Sequence, residues 1–285
     1  MFTGHARGVF FVCSMLAVPL VVRGQELGMS LLGVVGVNRE PSIQLREPSD
    51  QLTGLTGAVL TAVISAGHTG SRVTVVSNAA YTGTSIQLHT HFAGDHDALP
   101  PGARTLPGLI ADVWVAHPEV VFLFPDGNGA ARGGGGRWSG VKDLGQVERD
   151  ALATRSPAPT VTRRVVSAFS GGGYAVVQLL AGSMRAPERL SADQVVLMDT
   201  PTDELRAILR TRKDAGAPRY PTVYIWANTE MTRPTDRERA ELGLAQPTAG
   251  IFANGTPSPD SHRRHYQARD DYFGRYHGSG LPGRD

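Results

Sequence analysis

Arg163-Arg164-Val165-Val166-Ser167-Ala168-Phe169-Ser170-Gly171-Gly172-Gly173-Tyr174, continued by Ala175-Val176-Val177-Gln178-Leu179-Leu180, is the stretch on which the fold is decided. A β-branched apolar run stops at a serine, three glycines follow, and an apolar segment long enough for a buried helix comes after them. The pattern predicts a strand over Arg163 to Phe169, a sharp turn at Ser170 and a helix from Gly172 to Ala181. On such a turn the serine side chain is lifted clear of the backbone. Its small neighbours two positions either side, Ala168 and Gly172, let the two arms pass close together. The same letters also fit a plain strand-to-helix turn in which the serine caps the helix.

Outward from this stretch the chain alternates between two periods. Arg72 to Ser77, Ser85 to His91, Val120 to Phe124, Gln194 to Asp199 and Thr222 to Ala227 read as strands, and Leu106 to Ala116, Leu144 to Ala153 and Asp203 to Arg212 as helices. Strands that alternate with helices imply a parallel sheet covered on both faces. Residues 25–70 carry the turn signals Glu40-Pro41-Ser42 and Glu47-Pro48-Ser49 and are expected to form an irregular leader with one or two short strands. Within it, Gly57 to Ala66 fits either a strand or a helix. The α/β domain itself is expected over residues 71–285.

The chain of 285 residues is long enough for one large α/β domain or two small ones, and its net charge of +2 comes from 28 basic and 26 acidic residues spread along its length. No basic stripe is present, which argues against a nucleic-acid partner. Near the start, Arg7 precedes an apolar run from Val9 to Val22, closed by Arg23-Gly24-Gln25-Glu26. This reads as a secretory signal peptide over residues 1–24, the alternative being a buried N-terminal strand or helix. The single cysteine, Cys13, lies inside it, so a cleaved chain has no thiol and no disulfide, and its stability must come from the core. The residues around Cys13 do not make a lipid-attachment pattern. A secreted or periplasmic protein without a stable membrane anchor is expected.

Ala168-Phe169-Ser170-Gly171-Gly172 resembles the nucleophile elbow of the α/β-hydrolase family, G-x-S-x-G, with alanine in place of the first glycine. The resemblance implies a single α/β domain built on a mostly parallel sheet of about eight strands with helices on both faces. It also implies Ser170 as the nucleophile of acyl transfer. The family's chain order of serine, acid and histidine leaves His262, His265 and His277 as bases. His262, just before a helix-like stretch that runs through Tyr276, is the first choice, and His265, one helical turn further in, is its rival. For the acid, Asp199 closes the apolar strand Val195-Val196-Leu197-Met198, while Asp203, Glu230 and Asp236 remain open. An oxyanion needs two backbone donors. The Gly171 amide supplies one, and the loop His91-Phe92-Ala93-Gly94-Asp95 supplies the other, from Phe92 or Ala93. The expectation is an exported serine hydrolase that cleaves carboxylic esters of small-molecule or acyl type and needs no cofactor.

Two other stretches could carry chemistry. Asp126 to Gly140 is rich in glycine but offers Arg137-Trp138-Ser139 where a phosphate loop needs a lysine followed by serine or threonine, so it reads as a loop near the strand ends with Trp138 placed to cover the site. His89, His91, Asp95 and His96 resemble the H-x-H-x-D-H zinc loop of metallo-β-lactamase-like hydrolases, in which imidazoles and a carboxylate hold a metal that activates water. Here three residues separate His91 from Asp95, where that motif has one. A metal-dependent hydrolase built on this loop is the second expectation, and a non-catalytic binding protein that keeps the fold is the third.

Overall fold

The alternation of strands and helices read from the sequence is present in a computed structural model of the chain, which describes residues 51–68, 72–94, 99–126, 140–183, 187–200, 206, 207, 210, 222–226, 237, 240 and 261–276. All of them belong to one unit, Ile43–Asp285. The segment read as a signal peptide, Asp95, His96, Glu230 and the glycine-rich loop with Trp138 lie outside the described residues, as does most of the helix expected over Asp203 to Arg212.

Seven strands form one sheet in the order β1-β2-β4-β3-β5-β6-β7. They are β1 Ala58–Ile64, β2 Arg72–Asn78, β3 Ser85–Phe92, β4 Val120–Pro125, β5 Thr160–Phe169, β6 Gln194–Met198 and β7 Thr222–Trp226. From β4 onward across β3, β5, β6 and β7 every pairing is parallel, whereas β1 and β2 run antiparallel at one edge. The count among the described residues is seven rather than about eight. The ambiguous segment Gly57 to Ala66 is the strand β1, paired with β2 from Ala58↔Asn78 to Ile64↔Arg72. The sheet therefore begins inside residues 25–70, the part expected to be an irregular leader, because backbone pairing satisfies this uncharged, β-branched run.

Among the described residues four helices have full bounds: α1 Leu106–Ala116, α2 Leu144–Leu152, α3 Gly173–Ser183 and α4 Ser261–Asp271, the last continued by a π-helical turn Tyr272–Tyr276. Two of them start on the caps that their sequences provide. Thr105 accepts a hydrogen bond from the Gly108 amide at the head of α1, and Asp143 accepts one from the Gln146 amide at 2.8 Å at the head of α2.

The period of two along each strand divides the core into two layers. Ile86, Leu88 and Phe92 of β3, Val121 and Leu123 of β4, and Val166 and Ala168 of β5 pack with α2 and α3. Phe122 and Phe124 of β4, Val165 and Phe169 of β5, and Val196 and Met198 of β6 pack with α1, α4 and the π-helical turn. By the same alternation His89, His91 and Ser167 face the second layer. On the first, Glu148 of α2 is buried and held at 3.1 Å by Arg164 of β5. Its removal from water outweighs that cation and raises its pKa to about 7.

Candidate active site

β4 and β5 pair with β3 on its opposite sides, so the direction of winding reverses there, and crevices at such reversals, at the carboxyl ends of the strands, are where open α/β sheets bind ligands. Ser170 stands there. Phe169 is still extended, at φ −121° and ψ 135°, and Ser170 turns to a φ of 52° before the short 3-10 turn Ser170–Gly172 leads into α3. A non-glycine residue in this left-handed region is uncommon and strained. The glycines beyond it are required by space. A Cβ on Gly172 would overlap the carbonyl oxygen of Phe92, and one on Gly173 would run into Thr200. The position where the family pattern has its first glycine is explained by packing: Ala168 is fully buried, paired with Phe92 and Leu197, and its methyl group belongs to the α2 and α3 layer.

Asp199 follows β6 as Ser170 follows β5. It is buried, has a φ of 47° and meets the imidazole of His265, with Nδ1 and Oδ2 at 2.6 Å. The side chains are 1% and 16% exposed respectively. A carboxylate can only accept, so Nδ1 carries the hydrogen and Nε2 is left with its lone pair to take a proton. Of the two histidines weighed as base, the structure brings His265 to the carboxylate. His262 lies in the first turn of α4, three residues earlier, and its side chain is outside the described residues. Positions 262, 265, 266 and 269 fall on one helical stripe, so what selects His265 is its place along α4: Tyr266 and Arg269 pack on Phe169, and His265 lies beside them against the same ring. The ring of His265 lies 4.5 Å from that of Phe169, the residue before the serine, at an interplanar angle of 32°.

The loop after β3 closes the other side of Ser170. Phe92 buries its ring in the core and turns its carbonyl toward Gly172. The loop residue that meets the serine is Gly94, where a Cβ would stand 2.9 Å from the Ser170 Cβ and 3.0 Å from the Phe169 ring. Sequence reasoning selected Phe92 and did not weigh Gly94, although a glycine two residues past a strand end is a recognised sign of close backbone approach.

His89 and His91, two of the four ligands expected in a metal site, are committed to the core. His89 Nε2 and His91 Nδ1 lie 2.6 Å and 2.7 Å from the same Ser167 hydroxyl. One hydroxyl proton serves two rings, so Ser167 donates to one nitrogen and accepts from the other. Phe122, Tyr272 and Phe273 surround His89, and Phe124 and Phe273 surround His91. Burial, helped by the nearby Arg269 charge, lowers the pKa of His91 to about 3 and keeps it neutral. Among the described residues no three side chains of metal-binding type are gathered together, and no helix is long and apolar enough to cross a membrane.

No family profile and no curated protein matches the sequence. Solved structures similar to it include the siderophore hydrolase EstB from Aspergillus nidulans, at 11% identity over 66% of this chain and 78% of that one, with a TM-score of 0.40. A mutant of the esterase rPPE matches at 12% identity over 77% of this chain and 83% of that one, with a TM-score of 0.45. Carboxyl esterase 2 from Tuber melanosporum matches at 14% identity over 82% of this chain and 91% of that one, with a TM-score of 0.44. The described residues form a mostly parallel α/β sheet, with a strand, a turn and a helix around Ser170 and a carboxylate–imidazole contact at the end of the next strand.

Proposed function

We propose that the chain is an exported carboxylic-ester hydrolase that works through an acyl-enzyme on Ser170. The observation that carries this reading is the contact of His265 with Asp199 at the end of the strand beside the elbow. In the first half-reaction His265 Nε2 removes the Ser170 hydroxyl proton as Oγ attacks the ester carbonyl carbon, and the C=O π electrons move onto the oxygen. The amide of Gly171 and an amide of the loop around Gly94 stabilise that oxyanion. Collapse re-forms the carbonyl and expels the alkoxide, which takes the proton from the imidazolium. Water repeats the sequence on the acyl-enzyme, releasing the acid and restoring the serine. Asp199 keeps Nδ1 protonated and stabilises the imidazolium while it exists.

The test is labelling of Ser170 by a fluorophosphonate probe in the folded chain, together with hydrolysis of activated short-chain esters. Labelling that is lost in Ser170→Ala, along with turnover, is the expected result. A Ser170→Ala variant that turns over at the wild-type rate would sink the reading, and absence of labelling in the wild type would favour a binding protein of the same fold. Export rests on the apolar segment after Arg7 and is tested by the N-terminus of protein recovered outside the cytoplasm, which should begin close to residue 25.

A further inference from the structure

Phe169 is the hinge between the serine and its base. The ring is 2% exposed and lies on the α4 side of the sheet. Three residues of α4 meet it: His265 at 4.5 Å between centroids, Tyr266 at 5.1 Å, and Arg269 with its guanidinium carbon 5.5 Å from the ring centre. Gly94 confines another edge, since a Cβ there would stand 3.0 Å and 3.3 Å from two ring carbons. The ring therefore has no room to slide. Arg269 is itself fixed, stacked on Tyr266 and hydrogen-bonded to Asp270 and to the Arg104 carbonyl oxygen.

We infer that Phe169 is a positioning residue for the base, fixing the plane of the His265 imidazole by stacking and stabilising the imidazolium through its π face while the proton is held. The inference rests on the acyl-enzyme reading above. An aromatic face attracts a cation most strongly where water is excluded. A neutral ring gains less, so the interaction strengthens as the imidazole takes the proton, which is the property that a rate-enhancing contact needs. Among the described residues, the charged and titratable groups that contact His265 or Phe169 are Asp199 from the end of β6 and Tyr266 and Arg269 from α4. Asp270 and Arg269 form a pair, so within this set the ionised carboxylate of Asp199 is the charge left to face the ring, and Phe169 supplies a second stabilising surface.

The experiment uses the full chain with Phe169→Leu, and with pentafluorophenylalanine in place of Phe169. Fluorination keeps the planar ring and inverts the charge distribution of its face. Fluorophosphonate labelling of Ser170 and kcat/KM for a short-chain ester are followed against pH. Phe169→Leu and the fluorinated ring are expected to slow labelling roughly 3- to 30-fold and to move the acid limb of kcat/KM to lower pH by about half a unit to one unit, with KM little changed. A fluorinated protein that melts like wild type and keeps the wild-type rate and acid limb would overturn the inference while leaving the acyl-enzyme reading intact. Should Phe169→Leu fail to fold, the fluorinated protein decides. A wild-type chain that does not label at all would remove the reading on which the inference rests.

Discussion

Ser170 and Asp199 leave neighbouring parallel strands by the same backbone turn, with φ of 52° at the serine and 47° at the aspartate, each one residue beyond the paired strand ends Phe169 and Met198. The left-handed region costs an L-residue roughly 1–2 kcal/mol. The strain falls on the two positions where the chain must aim a polar side chain past the end of the sheet, and it predicts an asymmetry between two inactive variants. Ser170→Gly should be more stable than Ser170→Ala by about 1 kcal/mol, the glycine's greater freedom in the unfolded chain offsetting part of the gain. Urea denaturation of both proteins measures it. Equal midpoints would mean that the turn is relaxed.

His265→Ala should lower kcat/KM by on the order of 10³-fold or more, and Asp199→Asn by a comparable factor, because an amide at position 199 no longer holds Nδ1 protonated. His262→Ala should stay within about threefold of wild type, because on the proposed reading His265 is the base. Steady-state kinetics on one ester substrate decides between the two histidines.

Gly94→Ala places a methyl group against the Ser170 Cβ and the Phe169 ring. The loop must retreat, and an oxyanion donor displaced by about 1 Å loses on the order of 10² in rate. The core layers do not include Gly94, so the melting temperature should fall by only a few degrees, corresponding to about 1 kcal/mol. A fall in kcat at nearly constant KM is the expected signature.

Two buried groups shape the pH dependence of stability with opposite signs. Glu148 has a folded pKa raised from 4.5 to about 7. The unfolded chain therefore loses this proton first, and stability falls as pH rises from 4.5 to 7, by about 3 kcal/mol in all. His91 has a folded pKa lowered from 6.5 to about 3. Below pH 6.5 the unfolded chain takes up a proton that the folded chain refuses, so stability falls as pH drops toward 3, by roughly 5 kcal/mol. Between pH 4.5 and 6.5 the two slopes oppose each other. Glu148→Gln should remove one of them, and unfolding free energies should then climb with pH through that window. A profile unchanged by the substitution would contradict the burial argument for Glu148.

Much of the architecture was legible in residues. Leu106 to Ala116 was bounded correctly because Pro107 and the Thr105 cap mark its start. Val120–Pro125 was readable as a parallel strand because all six residues are buried. The short run Gly57 to Ala66 stayed ambiguous, since apolar residues stay exposed on both of its faces, Leu60 and Ile64 on one and Val59 on the other, which breaks the alternation that marks a strand. At the candidate site, chain order led to three late histidines but not to His265, because which turn of α4 lies against Phe169 is set by tertiary packing. Asp199 was preferred over later carboxylates because it ends an apolar strand, where a carboxylate must find a donor, and His265 is that donor. The pair His89 and His91 looked like ligands because the sequence alone does not show that Ser167, on the neighbouring strand, stands between them.

Helix α4 and its π-helical turn follow every described strand in chain order, yet they supply Tyr266, Tyr272 and Phe273 to one core layer and an imidazole to Asp199. During synthesis the sheet can pair before these residues leave the ribosome, with His89, His91 and Ser167 still open to water. The packing that seals the layer is the same packing that brings His265 to Asp199. On the acyl-enzyme reading proposed above, a nascent or C-terminally truncated chain carries a serine without its base until α4 has packed.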